Sequence, residues 1–378
     1  MRYLSPSIIK DLQKKMVLIS GPRQAGKTTM VNDLTKDQGL YLNWDNSDDR
    51  KKIMGKDWDQ DRKIIIFDEI HKFSRWKNLV KGIYDTQKER HQFIVTGSAR
   101  LDTFKKGQDS MLGRFFSWRL HPLCLSEIKH TFNRDDSQNM EKMLTLGGFP
   151  EPFLTGELQF AKRWRKEKLN LVFRQDIQEL ESIRDIALLE FFYQALTQRV
   201  GSEVALSNIA RDLEIAPKTA KAWLNILEKT YALFVITPYS KNLIKAIAKK
   251  PKIYFYDNGE VEGDEGARFE NLVANHLLKR IHFLEDSTGD RYELNYLRDK
   301  NGHEIDFLIQ KNRKPIALIE AKLTESSRSK SCYYYKDRLK IKTCIQLVRN
   351  LDKSSLRDDI LVVPAYEWLS KPFSEELF

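Results

Sequence analysis

Apolar positions fall into short runs over the first hundred residues, and into helical stripes and alternating runs after them. The run Met16-Val17-Leu18-Ile19-Ser20 is closed by a Gly/Pro cluster, which predicts a buried strand. Lys63 to Phe67 and Gln92 to Ser98 predict two more strands of the same kind. From 126 to 200 the spacing changes to three and four, with Leu169, Val172, Phe173, Ile177 and Leu180 on one stripe, so helices are expected there. Gly147-Gly148-Phe149-Pro150 punctuates that region. Two shorter stripes follow, Leu206/Ile209/Ala210/Leu213 and Ala220/Trp223/Leu224/Leu227, separated by a turn at 214–217. Apolar strands at 233–236 and 253–256 come next, and the set reads as a winged helix-turn-helix. The chain then predicts an amphipathic helix over 268–278, with Phe269, Leu272, Val273, His276 and Leu277 on one face. Strands at 292–297, 304–309 and 316–322 follow, the last two joined by a turn at 311–315. The pattern is that of an α/β multidomain chain, with boundaries expected at 1–128, 129–200, 201–260 and 261–378.

Length and composition agree with this division. The 378 residues suit two to four domains, and 41% hydrophobic content supports packed cores rather than disorder. The three cysteines, Cys124, Cys332 and Cys344, form no CxxC pair, so neither a disulfide scaffold nor a zinc knuckle is expected. No apolar signal core opens the sequence, and no run approaches the ~20 residues needed to span a bilayer. A cytoplasmic protein without membrane contact is the expectation. Lys and Arg number 64 against 53 Asp and Glu, a net charge of +11 that favours polyanionic partners. The excess sits in residues 1–130, with 25 basic and 16 acidic side chains. Two local runs add to it: Lys162 to Lys168, and the acid-free stretch holding Lys241, Lys245, Lys249, Lys250 and Lys252. Beside other nucleic-acid signals, such runs point to phosphate contact.

Gly21-Pro22-Arg23-Gln24-Ala25-Gly26-Lys27-Thr28-Thr29 follows the first strand directly and leads into a helical pattern. This is GxxxxGK[ST] in a strand–loop–helix setting, the arrangement in which backbone N–H groups wrap phosphates at a helix N-terminus. Lys27 would reach the β and γ oxygens of ATP, and the Thr28 hydroxyl would hold Mg²⁺. The second strand ends in Asp68-Glu69, where Asp68 would serve the metal and Glu69 would polarise the attacking water. The third ends in small polar residues, and Thr96 and Ser98 are both candidates to orient that water.

GPRQAGKTT, IIIFDE, VTGSAR, MLGRFF and HPLCLSE, in this order, resemble the AAA-type ATPases of bacteria and archaea whose C-terminal domain is of unknown function. The resemblance implies an additional-strand P-loop ATPase with a helical lid, working as a homo-oligomer. It also implies an arginine finger that reaches a neighbour's nucleotide, with Arg114 the candidate and Arg100 a second. His71 departs from the pattern, since relatives often carry glutamine there.

The remaining motifs concern DNA. In the winged helix-turn-helix, Lys218, Thr219 and Lys221 lie on the solvent side of the second helix, beside the lysine-rich wing. In the last domain, Glu304 and Asp306 share one side of a strand, and Glu320 and Lys322 share one side of the next. Asp306 and Glu320 would hold a second divalent metal, with Lys322 placing or deprotonating the attacking water. This D…ExK hairpin behind a helix resembles the PD-(D/E)XK nucleases, and Glu270 matches the acid of their first helix. His303 is expected in a loop, and Cys332 to Lys336 on a half-buried helix. Three readings remain open: an ATPase that processes branched DNA with a nuclease-like domain, a motor on Holliday junctions whose nuclease-like domain only grips, and a nucleotide-dependent protein-interaction switch.

Overall fold

Strands β1 (Met16–Ser20), β2 (Gly39–Asn43), β3 (Ile64–Asp68), β4 (Gln92–Gly97) and β5 (Phe115–Arg119) pair in parallel, in the order β2-β3-β4-β1-β5. Strand β4 thus intervenes between β1, which feeds the glycine loop, and β3, which ends in the acidic pair. Every residue of β1 and β3 is buried, as expected for parallel strands covered on both faces. Helices α1 (Ser5–Leu12), α2 (Lys27–Thr35), α3 (Ser47–Gly55) and α4 (Trp76–Gln87) accompany the sheet. Trp76, Val80 and Ile83 of α4 pack into a core with Leu42, Ile65, Phe67, Phe93 and Val95. Because all five strands run the same way, their C-terminal ends lie along one edge, and the polar residues that close them gather there.

This is a computed structural model, and it describes residues 2–59, 61–97, 111–131, 135–177, 185–240, 250–324 and 328–377. The chain divides into two compact units, Met1–Pro122 with Lys229–Tyr231, and Leu123–Glu228 with Ala232–Phe378.

In the second unit, helices α5 (Leu125–Thr131), α6 (Asp136–Leu146), α7 (Pro150–Thr155), α8 (Leu158–Leu171) and α9 (Ile186–Thr197) come first. Next are α10 (Leu206–Asp212) and α11 (Pro217–Lys229), then the antiparallel strands β6 (Leu233–Pro238) and β7 (Lys252–Phe255). The 24-residue helix α12 (Glu265–Thr288) leads to β8 (Tyr292–Arg298), β9 (Glu304–Lys311) and β10 (Lys314–Thr324). Helix α13 (Lys330–Leu339), β11 (Thr343–Asn350), β12 (Ser355–Arg357), β13 (Ile360–Pro364) and α14 (Ala365–Leu369) complete it. Strand β6 pairs with β8 at Thr237–Asn295 and Pro238–Tyr296, so the β6–β7 pair closes an eight-stranded sheet. Strands β6 and β7 and the C-terminal hairpin, expected on either side of a boundary at 260, share one sheet and one compact unit.

Two basic runs turn out to be partly internal. Arg165 and Lys168 are buried, with Arg165 Nε 3.1 Å from Asp257 and Lys168 Nζ 3.5 Å from Asp257 and 3.6 Å from Glu260. Lys162, Arg163 and Lys166 of the same run are exposed. Lys252 is buried as well. Lys241, Lys245 and Lys249 lie outside the described residues.

Candidate functional site

The loop between β1 and α2 is shaped by residues that accept unusual backbone geometry. Gly21 has φ +152°, and a Cβ there would lie 2.1 Å from the Leu120 carbonyl oxygen, so only glycine fits. Gly26 takes a left-handed conformation at the N-cap of α2, as does Gln24 within the loop. Ala25 and Pro22 are buried, Arg23 is half-buried, and Thr29 is exposed at the start of the helix. The Lys27 ammonium is buried and donates to the carbonyls of Gly21 at 2.9 Å and Pro22 at 2.8 Å, which fixes it against the loop.

Register explains the rest of the site. Asp68 stands opposite Asn43 on one side and Thr96 on the other. The Thr96 hydroxyl donates to Asp68 Oδ1, the Glu69 N–H to the same oxygen at 3.1 Å, and the Thr28 hydroxyl to Asp68 Oδ2 at 3.0 Å. Tyr41 donates to Oδ2 as well, at 2.5 Å. Asp68 is thus tied to the helix that carries Lys27 and to both neighbouring strands. Thr96, fully buried, directs its hydroxyl at Asp68. Ser98 and Arg100 lie outside the described residues.

Glu69 follows Asp68 in a left-handed conformation, φ +55°, with its N–H bonded to the Thr96 carbonyl at 3.1 Å. Burial and then the Asp68 charge push its carboxyl up to about 7, against Lys27, Lys72 and Arg23. Its Oε2 lies 3.6 Å from His71 Nε2 and 3.9 Å from Lys72 Nζ, and Lys72 also reaches Asp45 at 2.6 Å. Burial, helped by Lys72 and Lys27, holds His71 down at about 4, so the imidazole beside Glu69 is neutral at pH 7. Arg114 stands elsewhere. Its carbonyl accepts from Met16 N–H at the start of β1, while the glycine loop follows the end of that strand. Its guanidinium clasps Asp85 at 2.7 and 3.0 Å.

These side chains suit a nucleotide triphosphate with Mg²⁺. A loop closed by left-handed Gly26 at a helix N-terminus supplies phosphate donors, and the touching Thr28 hydroxyl and Asp68 carboxylate are hard oxygen ligands.

The second expected site is built differently from its expectation. Glu270 on α12, Glu304 and Asp306 on β9, and Glu320 and Lys322 on β10 do lie close together. Asp306 Oδ2 accepts from the Ala321 N–H at 2.9 Å, which fixes it across the hairpin. Glu320 Oε1 is 2.6 Å from Lys322 Nζ. At the centre, however, is Lys252 Nζ, 2.8 Å from Glu304, 3.3 Å from Glu270 and 3.8 Å from Asp306. Burial alone would lower the Lys252 ammonium, but the charges of Glu270, Asp306 and Glu304 outweigh it and raise it. Burial and the Asp306 charge push Glu270 up to about 7 and raise Glu320. Among the described residues, no three His, Cys, Asp or Glu side chains are grouped to hold a metal ion. Of the expected metal set, Glu270 and Asp306 are paired with a lysine from β7 and Glu320 with Lys322, so these acids as they stand do not fit a divalent cation. His303 is a loop residue, held by Asp299 at 3.0 Å and stacked on Tyr334 at 4.1 Å.

Sequence reasoning missed Tyr41, which no motif marks, and Lys252, which hid in a lysine run. Tyr254 was also missed; its hydroxyl donates to Glu270 at 2.6 Å. The alternation of β7 was the one available signal, since it puts Lys252 and Tyr254 on the same side.

Residues 13–129 match a family model described as an AAA domain, and the parallel sheet they contain fits a P-loop NTPase core. Residues 137–261 and 265–368 match two models described as domains of unknown function. An uncharacterized protein of Methanocaldococcus jannaschii is 24% identical over 95% of this chain and 89% of its own length. An uncharacterized protein of Mycobacterium tuberculosis is 22% identical over 96% of this chain and 82% of its own. Among solved structures, a Walker-type ATPase of Pyrococcus abyssi aligns with 68% of this chain and 93% of its own, at 15% identity and a TM-score of 0.42. Among the described residues no helix is long and apolar enough to cross a membrane.

Proposed function

We propose that this chain is a Mg²⁺-dependent ATPase whose second unit grips DNA. The observation that carries the ATPase reading is the clasp of Thr28, Thr96 and Tyr41 on Asp68, with Glu69 beside it. Bound Mg²⁺ would neutralise phosphate charge as the terminal bond breaks. Thr28 and Asp68 would hold that ion, and Lys27 would bind the β and γ oxygens. Glu69 would take a proton from the attacking water, a task suited to a carboxyl near 7. Arg114 sits beside the start of β1, at the other end of that strand from its own loop, so its service would be to a neighbouring copy. Arg114→Ala should then retain ATP binding and lose hydrolysis by on the order of 10³-fold. A parental rate in that variant would remove Arg114 from the mechanism.

DNA contact is supported by α11, the second helix of a helix-turn-helix with a strand pair behind it, on which Lys218 and Lys221 are exposed. A grip is favoured over a cutting domain because Lys252 pairs with Asp306 of the D…ExK hairpin and with Glu270 and Glu304 beside it, while Glu320 is taken by Lys322. The test is ATP hydrolysis and duplex-DNA affinity at two salt concentrations, for the parent and Lys218→Glu/Lys221→Glu. Affinity should fall steeply with salt, and the double variant should weaken binding and flatten that dependence. Equal affinity at both salts, or no binding, would replace DNA with a protein partner.

A further inference from the structure

The three carboxylates around Lys252 come from two elements, Glu270 from α12 and Glu304 and Asp306 from β9, and the lysine from a third, β7. Its side chain is 1% exposed. Lysine is almost never buried to this depth unless paired, and here every neighbour is fitted to a cation. Two oxygens lie at 2.8 and 3.3 Å, a third at 3.8 Å, and the Tyr296 ring centroid at 5.5 Å. Tyr254, two residues along the same strand, donates to the Glu270 oxygen that Lys252 also contacts. Strand β7 therefore brings both a cation and a hydroxyl donor to the acids.

A divalent magnesium ion takes oxygens at about 2.0–2.1 Å in near-octahedral order. The ammonium keeps these oxygens further out and sits at the point they share, and a second cation beside it would be repelled with little water to screen it. We infer that Lys252 is a built-in cation standing where a divalent metal would otherwise sit, and that the cluster of Glu270, Glu304 and Asp306 becomes a metal site only when that lysine is removed. The inference is independent of the ATPase reading, since it concerns none of the residues of the glycine loop.

The experiment is a manganese titration of the full-length protein without nucleotide, following free Mn²⁺ by electron paramagnetic resonance. It compares the parent, Asp306→Asn, Lys252→Ala, Lys252→Met and each lysine variant combined with Asp306→Asn. Any manganese at Thr28 and Asp68 is common to all of them and cancels in the comparison. The parent and Asp306→Asn should take up the same number of ions. Each lysine variant should take up one more, and Asp306→Asn should abolish that gain. A parental manganese site lost in Asp306→Asn would overturn the inference, as would folded lysine variants that gain none. Lys252→Met keeps the length of the side chain and guards against collapse in Lys252→Ala. If neither lysine variant melts cooperatively, the parent against Asp306→Asn decides alone.

Discussion

Glu69 holds a left-handed backbone conformation that costs a non-glycine residue about 1–3 kcal/mol. The cost is offset by two hydrogen bonds that its N–H donates, to the Thr96 carbonyl and to Asp68 Oδ1. The same geometry buries the carboxyl next to Asp68, which is why its proton is held up to about 7. Only the ionised form accepts a proton, so kcat/KM for ATP should rise with pH below about 7 and level off above it. Glu69→Gln should remove the slope along with about 10²–10⁴-fold of the rate. A parental profile flat from pH 6 to 8 would place the base elsewhere. His71 does not add a second inflection in that range, because its imidazole is held neutral down to about pH 4.

Strand β7 is bound to α12 by a buried amide. Asn271, fully buried, accepts from the Phe255 N–H at 2.8 Å and donates to the Phe255 carbonyl at 3.0 Å. Asn271→Leu would leave the Phe255 N–H without that acceptor, at about 1–3 kcal/mol. Its urea midpoint should fall accordingly, and an unchanged midpoint would show that β7 is held some other way. The two ends of the chain differed in how well their elements could be read. Strands β1, β3 and β4 of the first sheet were legible because each is an apolar run, and the glycine loop and Asp68-Glu69 close two of them in a fixed pattern, whereas the mixed sequences of β2 and β5 gave no such signal. The hairpin of β9 and β10 was legible from alternation. What escaped was long-range pairing: nothing in the local pattern of β6 says that it joins β8, and nothing in a run of lysines says which one turns inward. Arg165 and Lys168 were hidden in the same way, since their acids, Asp257 and Glu260, lie some ninety residues on.

Across the molecule, the +11 does not say which basic side chains can meet a partner, because some of them lie inside the fold. Arg165, Lys168 and Lys252 are buried against acids, while Lys218 and Lys221 stay exposed on α11. The part of the chain that matches an AAA domain is also where local motifs sufficed, because phosphate binding needs residues contiguous in sequence. The C-terminal acids needed the fold, because what decides their chemistry arrives from another strand. The most direct test of the account is phosphate release from ATP with and without Mg²⁺, measured beside equilibrium ATP binding for the parent, Lys27→Ala and Glu69→Gln. The account predicts Mg²⁺-dependent release by the parent, no binding by Lys27→Ala, and binding without appreciable release by Glu69→Gln. A Glu69→Gln protein that releases phosphate at the parental rate, or a parent that binds ATP and never hydrolyses it, would contradict it.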